Sequence, residues 1–134
     1  MSKQKKVIQP LGWAKPSGFS NGIVAEGRLL FIAGQVGWNP RSSKPEFSKA
    51  FEAQFDQALS NVCEVVLEAG GTPSDIVRLT VYVTDKKEYL GALKEVGAAY
   101  RRRLGRHYPA MALLQVAALV EDQARVEIEA TAVL

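Results

Sequence analysis

The sequence has only one cysteine and one histidine, and this scarcity limits its chemistry. A lone cysteine, Cys63, excludes a disulfide within the chain and any metal site built from several cysteines, and it fits a reducing cytosol. His107 has neither a second histidine nor a cysteine partner, so the sequence predicts no metal site. We therefore expect a cytoplasmic protein that works without a metal or other cofactor.

Long apolar runs are also missing. No stretch approaches the roughly 20 apolar residues that a membrane-spanning helix needs. The basic start, Met1 to Lys6, is not followed by the apolar segment of a signal peptide. The 134 residues, 47% of them hydrophobic and 23% charged, are typical of one globular domain, 1–134. The net charge of +3 is too small to indicate a class of partner.

Turn residues and hydrophobic periodicity predict the secondary structure. Apolar residues recur at helical spacing over 48–69 and end at Gly70, and Asp85 with Glu88 resembles the capping box of a second helix. The second helix would place Tyr89, Leu93, Val96 and Tyr100 on its apolar side. Strands are predicted at 23–25, 29–33, 76–84, 111–117 and 125–133. The segment 23–25 could pair with 29–33 through the turn around Gly27.

The predicted order β-β-α-β-α-β-β defines an α/β (α+β) fold. Two helices cannot cover both faces of such a sheet, so we expect a single sheet with both helices packed on one face. Alternation in the last strand directs Val126, Ile128, Ala130 and Ala132 toward the helices. We expect Met111, Leu113, Gln115 and Glu127 to form a partly apolar second face. A face of that kind usually contacts another subunit.

Several short segments, in the same order along the chain, resemble the Rid family, also called YjgF or endoribonuclease L-PSP. The resemblance covers 15–133 and rests on Ala33-Gly34-Gln35, Asp75-Ile76-Val77, Val81-Tyr82-Val83-Thr84-Asp85, Tyr108-Pro109-Ala110-Met111 and Val126-Glu127-Ile128-Glu129-Ala130. It implies a chorismate-mutase-like fold and a homotrimer whose clefts lie between neighbouring subunits. Many members of the family deaminate imines and enamines.

The resemblance also implies a site. Glu127 matches the glutamate that positions water in the deaminases, and Gly34-Gln35 matches a turn in the pocket wall. Met111 stands where the deaminases carry an arginine that grips the substrate carboxylate. Four further pocket positions depart from the deaminase pattern by losing a tyrosine, a serine, an asparagine and a cysteine, respectively: Phe19, Ala33, Leu93 and Leu113.

The change at Met111 has a direct physical consequence. Arginine offers a planar fork of donors that matches a carboxylate, whereas methionine offers an apolar chain and a weak sulfur acceptor. We expect a 2-imino acid to bind poorly and a small, more apolar ligand to bind instead. Arg125 could supply a substitute cation.

Other interpretations remain open for the same residues. Glu127 could be an interface carboxylate paired with Arg125, and Met111 and Leu113 could be core or interface filler. The basic stretch of 101–103, Arg106 and His107 could contact nucleic acid. However, cations near a helix end are favoured by the helix dipole, and no aromatic residues are interleaved with them. Three functions follow. A divergent imine or enamine hydrolase and a non-catalytic ligand-binding trimer are favoured about equally, with the hydrolase placed first because the acid is retained, and an RNA-cleaving protein is the least favoured.

Overall fold

A computed structural model describes residues 4–44 and 46–134; Met1 to Lys3, half of the basic start, and Pro45 lie outside the described residues. Its strands and helices are β1 Gln4–Ile8, β2 Gly22–Glu26, β3 Leu29–Val36, α1 Phe51–Glu68, β4 Ile76–Val83, α2 Lys86–Gly91, α3 Leu93–Leu104, β5 Ala110–Gln115 and β6 Val126–Val133, with a 3₁₀ turn at Pro73–Asp75. Within the described part of the chain, no helix is both long and apolar enough to cross a membrane.

The main sheet has four strands in the order β3-β6-β4-β5. The pairs β3–β6 and β6–β4 are antiparallel, whereas β5, at one edge of the sheet, runs parallel to β4. Helix α1 packs on β3 and β6, and α3 packs on α1. This arrangement confirms the predicted α/β fold, with the helices on one face of the main sheet.

Side-chain alternation along β6 separates the two faces. Val126, Ile128 and Ala132 are fully buried under the helices, whereas the intervening Glu127 and Glu129 are only half-buried. Removing each large apolar side chain from water stabilises the fold by about 1.5–3 kcal/mol. The predicted inward direction of the apolar residues of β6 is therefore confirmed.

The predicted hairpin between 23–25 and 29–33 is wrong, because β2 pairs with β1 and β3 pairs with β6. Gly27 has a φ of 147°, and a Cβ there would overlap the carbonyl oxygen of Leu134. Arg28 then exchanges two backbone hydrogen bonds with Leu134, at 3.1 and 2.8 Å. The C-terminal strand thus takes the place beside β3, and β1 and β2 form a second, two-stranded sheet. The expectation of a single sheet is wrong for the same reason.

The second predicted helix begins where expected but is interrupted. Asp85 caps it by accepting a hydrogen bond from the Lys87 amide at 2.9 Å. At Ala92 the backbone leaves helical geometry, with φ −120° and ψ 21°, so α2 and α3 are separate. Leu93 opens α3 and is 52% exposed, whereas Val96 and Tyr100 are buried as predicted.

The predicted second face is wrong in its main members. Met111 lies opposite Leu79 and Leu113 opposite Val81 in the parallel β4–β5 pair. Paired positions share a face, and Leu79 and Val81 are each only 1% exposed beneath the helices. Met111 and Leu113 therefore pack against the helix-covered core.

Gln115, the third member from β5, is opposite the buried Val83 and also belongs to the helix side. Glu127 lies opposite Tyr82, on the other face. That outer face carries Phe31, 74% exposed, and Leu114, 40% exposed. It is partly apolar as expected, but different residues make it so.

The buried amide of Gln54 joins three chain segments. Its Nε2 donates to the carbonyl oxygens of Ser48 at 2.9 Å and Gln123 at 3.0 Å. Its Oε1 accepts from the backbone amide of Arg125 at 2.9 Å. The side chain therefore fixes the loop before α1 and the loop that leads into β6.

We expect Gln54→Leu to lower the free energy of unfolding by about 2–4 kcal/mol, because it leaves buried backbone groups without partners. The matched change Gln57→Leu, on the same helix, removes one bond to Asn61 and should cost less than about 1 kcal/mol. Urea unfolding of both variants measures the difference. Equal losses would contradict the role given to Gln54.

Candidate functional site

A cavity of about 400 Å³ lies between α2, α3 and β5. Three of the residues that line it were predicted for the site: Leu93, Met111 and Leu113. Tyr89, Tyr100 and Arg101 also line it. Met111 and Leu113 are half-buried and form part of its floor beside the core. Two of the apolar residues predicted for the pocket, Met111 and Leu113, thus line a cavity on the helix side.

Tyrosines give this cavity hydrogen-bonding capacity. Burial raises the pKa of both Tyr89 and Tyr100, so their phenols stay neutral well above pH 7. Tyr100 is 8% exposed and stacks on Tyr108, with ring centroids 6.1 Å apart. Its buried hydroxyl has no hydrogen-bond partner among residues 4–44 and 46–134. An unsatisfied buried hydroxyl costs about 1–3 kcal/mol, which a ligand acceptor or a water could recover.

Phe19 lies outside this cavity but borders Met111. The two line a shallower space of about 250 Å³ at the edge of β5, together with Arg78. Phe19 is 37% exposed. Met111 therefore separates the helix-side cavity from the open edge of the sheet.

Glu127 stands apart from the cavity, on the outer face of the sheet. It is half-buried, and its carboxylate makes no hydrogen bond or ion pair with any described residue. Its neighbour Glu129 accepts a hydrogen bond from Tyr82 at 2.7 Å, which raises the pKa of that tyrosine. Of these two carboxylates on β6, Glu127 is the one with no hydrogen-bond or ion-pair partner among the described residues.

Gly34 makes room for Glu127. It lies in the irregular pairing between Ile32 and Gln35, and a Cβ at position 34 would overlap Oε2 of Glu127. Gln35 turns back on the strand and donates to the carbonyl of Ala33 at 3.1 Å. Gly34, which the resemblance places in the pocket wall, therefore lies directly beside the Glu127 side chain.

Arg125 does not pair with Glu127, so that interpretation is wrong. Strand β6 begins one residue later, and the Arg125 guanidinium instead forms an ion pair with Glu88 of α2. The pair is about three-quarters buried. Arg125 is therefore already paired with Glu88, and it neither lines the cavity beside Met111 nor pairs with Glu127.

The basic stretch of α3 is likewise mostly used within the fold. Arg102 and Arg103 both pair with Asp56, at 3.4 and 2.9 Å. Burial by itself would raise the pKa of Asp56, but the two guanidinium groups outweigh it and lower the pKa. His107 hydrogen-bonds the carbonyl of Ile76. Only Arg101 of the three consecutive arginines lacks an ion-pair partner among the described residues.

The two groups of candidate residues are separated by the sheet. Met111 is on β5 and Glu127 is on β6, with β4 between them. Adjacent strands are about 4.8 Å apart, and the two side chains project from opposite faces. Within one subunit, Met111 and Glu127 therefore do not line a common cavity.

Sequence reasoning missed Arg101 as a residue of the cavity. A signal was present, since Leu93, Gly97 and Arg101 recur every fourth residue and so share one helix face. The cavity is lined by that face. The sequence alone could not show which of the three consecutive arginines is unpaired, because Asp56, the partner of Arg102 and Arg103, lies far away along the chain.

Comparison with known proteins places this fold and these residues in a known family. The family model described as endoribonuclease L-PSP matches residues 14–134. A RutC family protein of Pyrococcus horikoshii is 33% identical over 96% of this chain and 97% of its own length. The human 2-iminobutanoate/2-iminopropanoate deaminase is 32% identical over 86% of this chain and 79% of its own.

A solved structure agrees. The protein YyfB of the conserved Rid family, from Yersinia pestis and described as of unknown function, superposes with a TM-score of 0.84 at 36% identity. The match covers 97% of this chain and 98% of that one. The chain belongs to the Rid/YjgF family, as its sequence motifs predicted.

We expect Gly34→Ala to displace the carboxylate of Glu127 while the fold survives, because the overlapping atom is the end of a flexible side chain. The melting temperature should fall by only a few degrees, and the side-chain NMR resonances of Glu127 should shift. Gly91→Ala is the matched control, since a Cβ there meets nothing within 4 Å. Unshifted Glu127 resonances in Gly34→Ala would contradict this geometry.

Proposed function

We propose that this protein hydrolyses a small imine or enamine other than a 2-imino acid, in a cleft between the subunits of a homotrimer. The observation that carries the proposal is the carboxylate of Glu127, which is half-buried and unpaired among the described residues. The family includes relatives named as imine deaminases, such as the human protein. The resemblance of Glu127 to their water-positioning glutamate supports the same role here.

The separation of the two groups supports a cleft between subunits. The cavity beside Met111 opens on the helix side, and Glu127 lies on the outer face with the exposed Phe31. An exposed apolar face of this kind favours subunit contact. In a ring of copies, the outer face of one subunit can meet the cavity edge of the next, which would complete the site.

The chemistry needs one group that accepts and returns a proton. Glu127 takes a proton from water as the water oxygen attacks the imine carbon. The imine reacts in its nitrogen-protonated form, so this attack gives a neutral carbinolamine. Glu127 then returns its proton to the nitrogen as the carbon–nitrogen bond breaks, and the hydroxyl proton of the carbinolamine is released to water as the carbonyl forms. The products are a carbonyl compound and ammonia, and no redox step is involved.

The position of Met111 argues against a 2-imino acid. A carboxylate beside the imine carbon would meet the methionine side chain instead of an arginine fork. Arg125 cannot replace that arginine without leaving Glu88. The aromatic and aliphatic walls of the cavity suit an apolar ligand body.

A non-catalytic ligand-binding trimer is the second candidate. The apolar cavity favours it, because binding an apolar molecule there requires no carboxylate. The two functions differ in what Glu127 does. They are separated by removing its ability to exchange a proton.

The test compares two substrates generated in place: 2-aminoacrylate from a serine dehydratase, and an aralkyl imine from an amine oxidase. We expect acceleration of the aralkyl imine hydrolysis only. Glu127→Gln should reduce it by about 10²-fold or more, because it removes the general base. Semicarbazide trapping of the remaining imine measures both rates.

Met111→Arg should raise the activity on 2-aminoacrylate, because it restores a carboxylate clamp. Met111→Leu is the matched control, since it keeps an apolar side chain of similar size. Turnover that survives Glu127→Gln would remove the catalytic assignment. Wild-type turnover of 2-aminoacrylate equal to that of Met111→Arg would show that the missing arginine does not matter.

A further inference from the structure

The cavity that holds Met111 contains one cation that the proposed chemistry does not use. Arg101 lines the cavity, and none of the side chains lining it is acidic. The next two arginines both pair with Asp56, whereas Arg101 has no ion-pair partner in the described chain. Arg101 is an exposed residue at the edge of a largely aromatic and aliphatic cavity, and an anionic ligand there would supply the partner that its guanidinium lacks among the described residues.

The local backbone directs this guanidinium along the cavity. A Cβ at Gly97, one helical turn earlier, would lie 3.3 Å from Nη1 of Arg101. The Arg101 side chain therefore lies back over position 97, on the helix face that begins with Leu93. Glycine there leaves the space that the guanidinium occupies.

We propose that Arg101 is the anion-binding residue of this cavity and that its ligand is a monocarboxylate with an apolar body. The inference rests on the proposed function, because it names the substrate class for the same site. The carboxylate binds Arg101 on the α3 side, and the body packs on Tyr89, Met111 and Leu113. The Tyr100 hydroxyl, which has no hydrogen-bond partner among the described residues, is a further donor in the lining of this cavity.

This placement defines the ligand more narrowly. The arginine of the deaminases would stand at position 111 on β5, whereas Arg101 is on α3, across the cavity. A carboxylate bound to Arg101 therefore lies across the cavity from the place where an arginine at position 111 would hold the carboxylate of a 2-imino acid. The reactive group and the carboxylate of the ligand should be joined by an apolar spacer.

Arg78 is the competing cation, because it also shares a space with Met111. That space is about 250 Å³, against about 400 Å³ for the cavity beside Arg101. Arg78 also lies on the outer face, near Glu129 and Thr131. The larger cavity with aromatic walls favours Arg101.

The experiment uses benzoate and its uncharged counterpart benzamide as probes, with affinities measured by NMR titration of the full chain. We expect benzoate to bind more tightly than benzamide. Arg101→Gln should weaken benzoate by roughly tenfold and leave benzamide unchanged. Arg102→Gln, the adjacent arginine paired with Asp56, is the matched control and should change neither affinity.

Gly97→Ala gives a readout that a structural role of Arg101 would not. Alanine favours a helix over glycine, so the melting temperature should rise. The added Cβ would lie 3.3 Å from Nη1 and so would displace the guanidinium by a few tenths of an ångström, and benzoate should nevertheless bind more weakly. A more stable protein with weaker carboxylate binding supports the proposal, and unchanged benzoate affinity in Gly97→Ala contradicts it.

Three further results overturn the proposal: equal affinity for benzoate and benzamide, unchanged benzoate binding in Arg101→Gln, or loss of benzoate binding in Arg78→Gln instead. None of them touches Glu127, because no turnover is measured. Conversely, imine hydrolysis that survives Glu127→Gln removes the proposed catalytic role and leaves Arg101 as the carboxylate-binding residue. The failures of the two proposals are therefore distinguishable.

Discussion

The alternation of side chains across the four-stranded sheet is the constraint on which the rest of the molecule depends. Strand β6 needs Val126 and Ile128 under the helices, and the two-residue period then forces Glu127 to the other face. The same register places Met111 of β5 on the helix side, opposite Leu79. The core and the site are therefore not independent, because packing the core divides the candidate site residues between two faces. Within one subunit, the cavity beside Met111 has no acidic side chain in its lining, and Glu127 lies on the opposite face of the sheet.

Sequence patterns predicted the parts of this arrangement that depend on local periodicity. The long helix, the inward face of β6 and the cap at Asp85 follow from short stretches of chain. Strand pairing could not be predicted in the same way. Whether β3 lies beside β2 or β6 depends on Gly27 approaching Leu134, more than a hundred residues later. The face of Met111 depends on its pairing with β4, because a shift by one residue would reverse it.

The sequence predicted individual residues of the site better than it predicted which of them lie together in space. Gly34 and Glu127 were associated through motif resemblance, and the structure places them in contact. The partners of the arginines were not predictable, because Glu88 and Asp56 are distant from Arg125 and Arg103 in sequence. These pairings matter to function, since they occupy most of the nearby cations and leave Arg101 beside the cavity. Under the proposed function, selectivity would depend on which charges are paired within the fold as much as on which residues line the pocket.

The central claim, that Glu127 of one subunit meets the cavity edge of another, is tested most directly by crosslinking. Met111→Cys and Glu127→Cys subunits are prepared separately, mixed under conditions that allow exchange, and treated with a short bis-maleimide. The native Cys63 should stay unreactive, because it is 6% exposed and burial raises its pKa to about 11. We predict covalent dimers in the mixture in excess of either variant alone. A double variant that crosslinks only within its own chain, or a mixture that gives no additional dimer, would contradict the account.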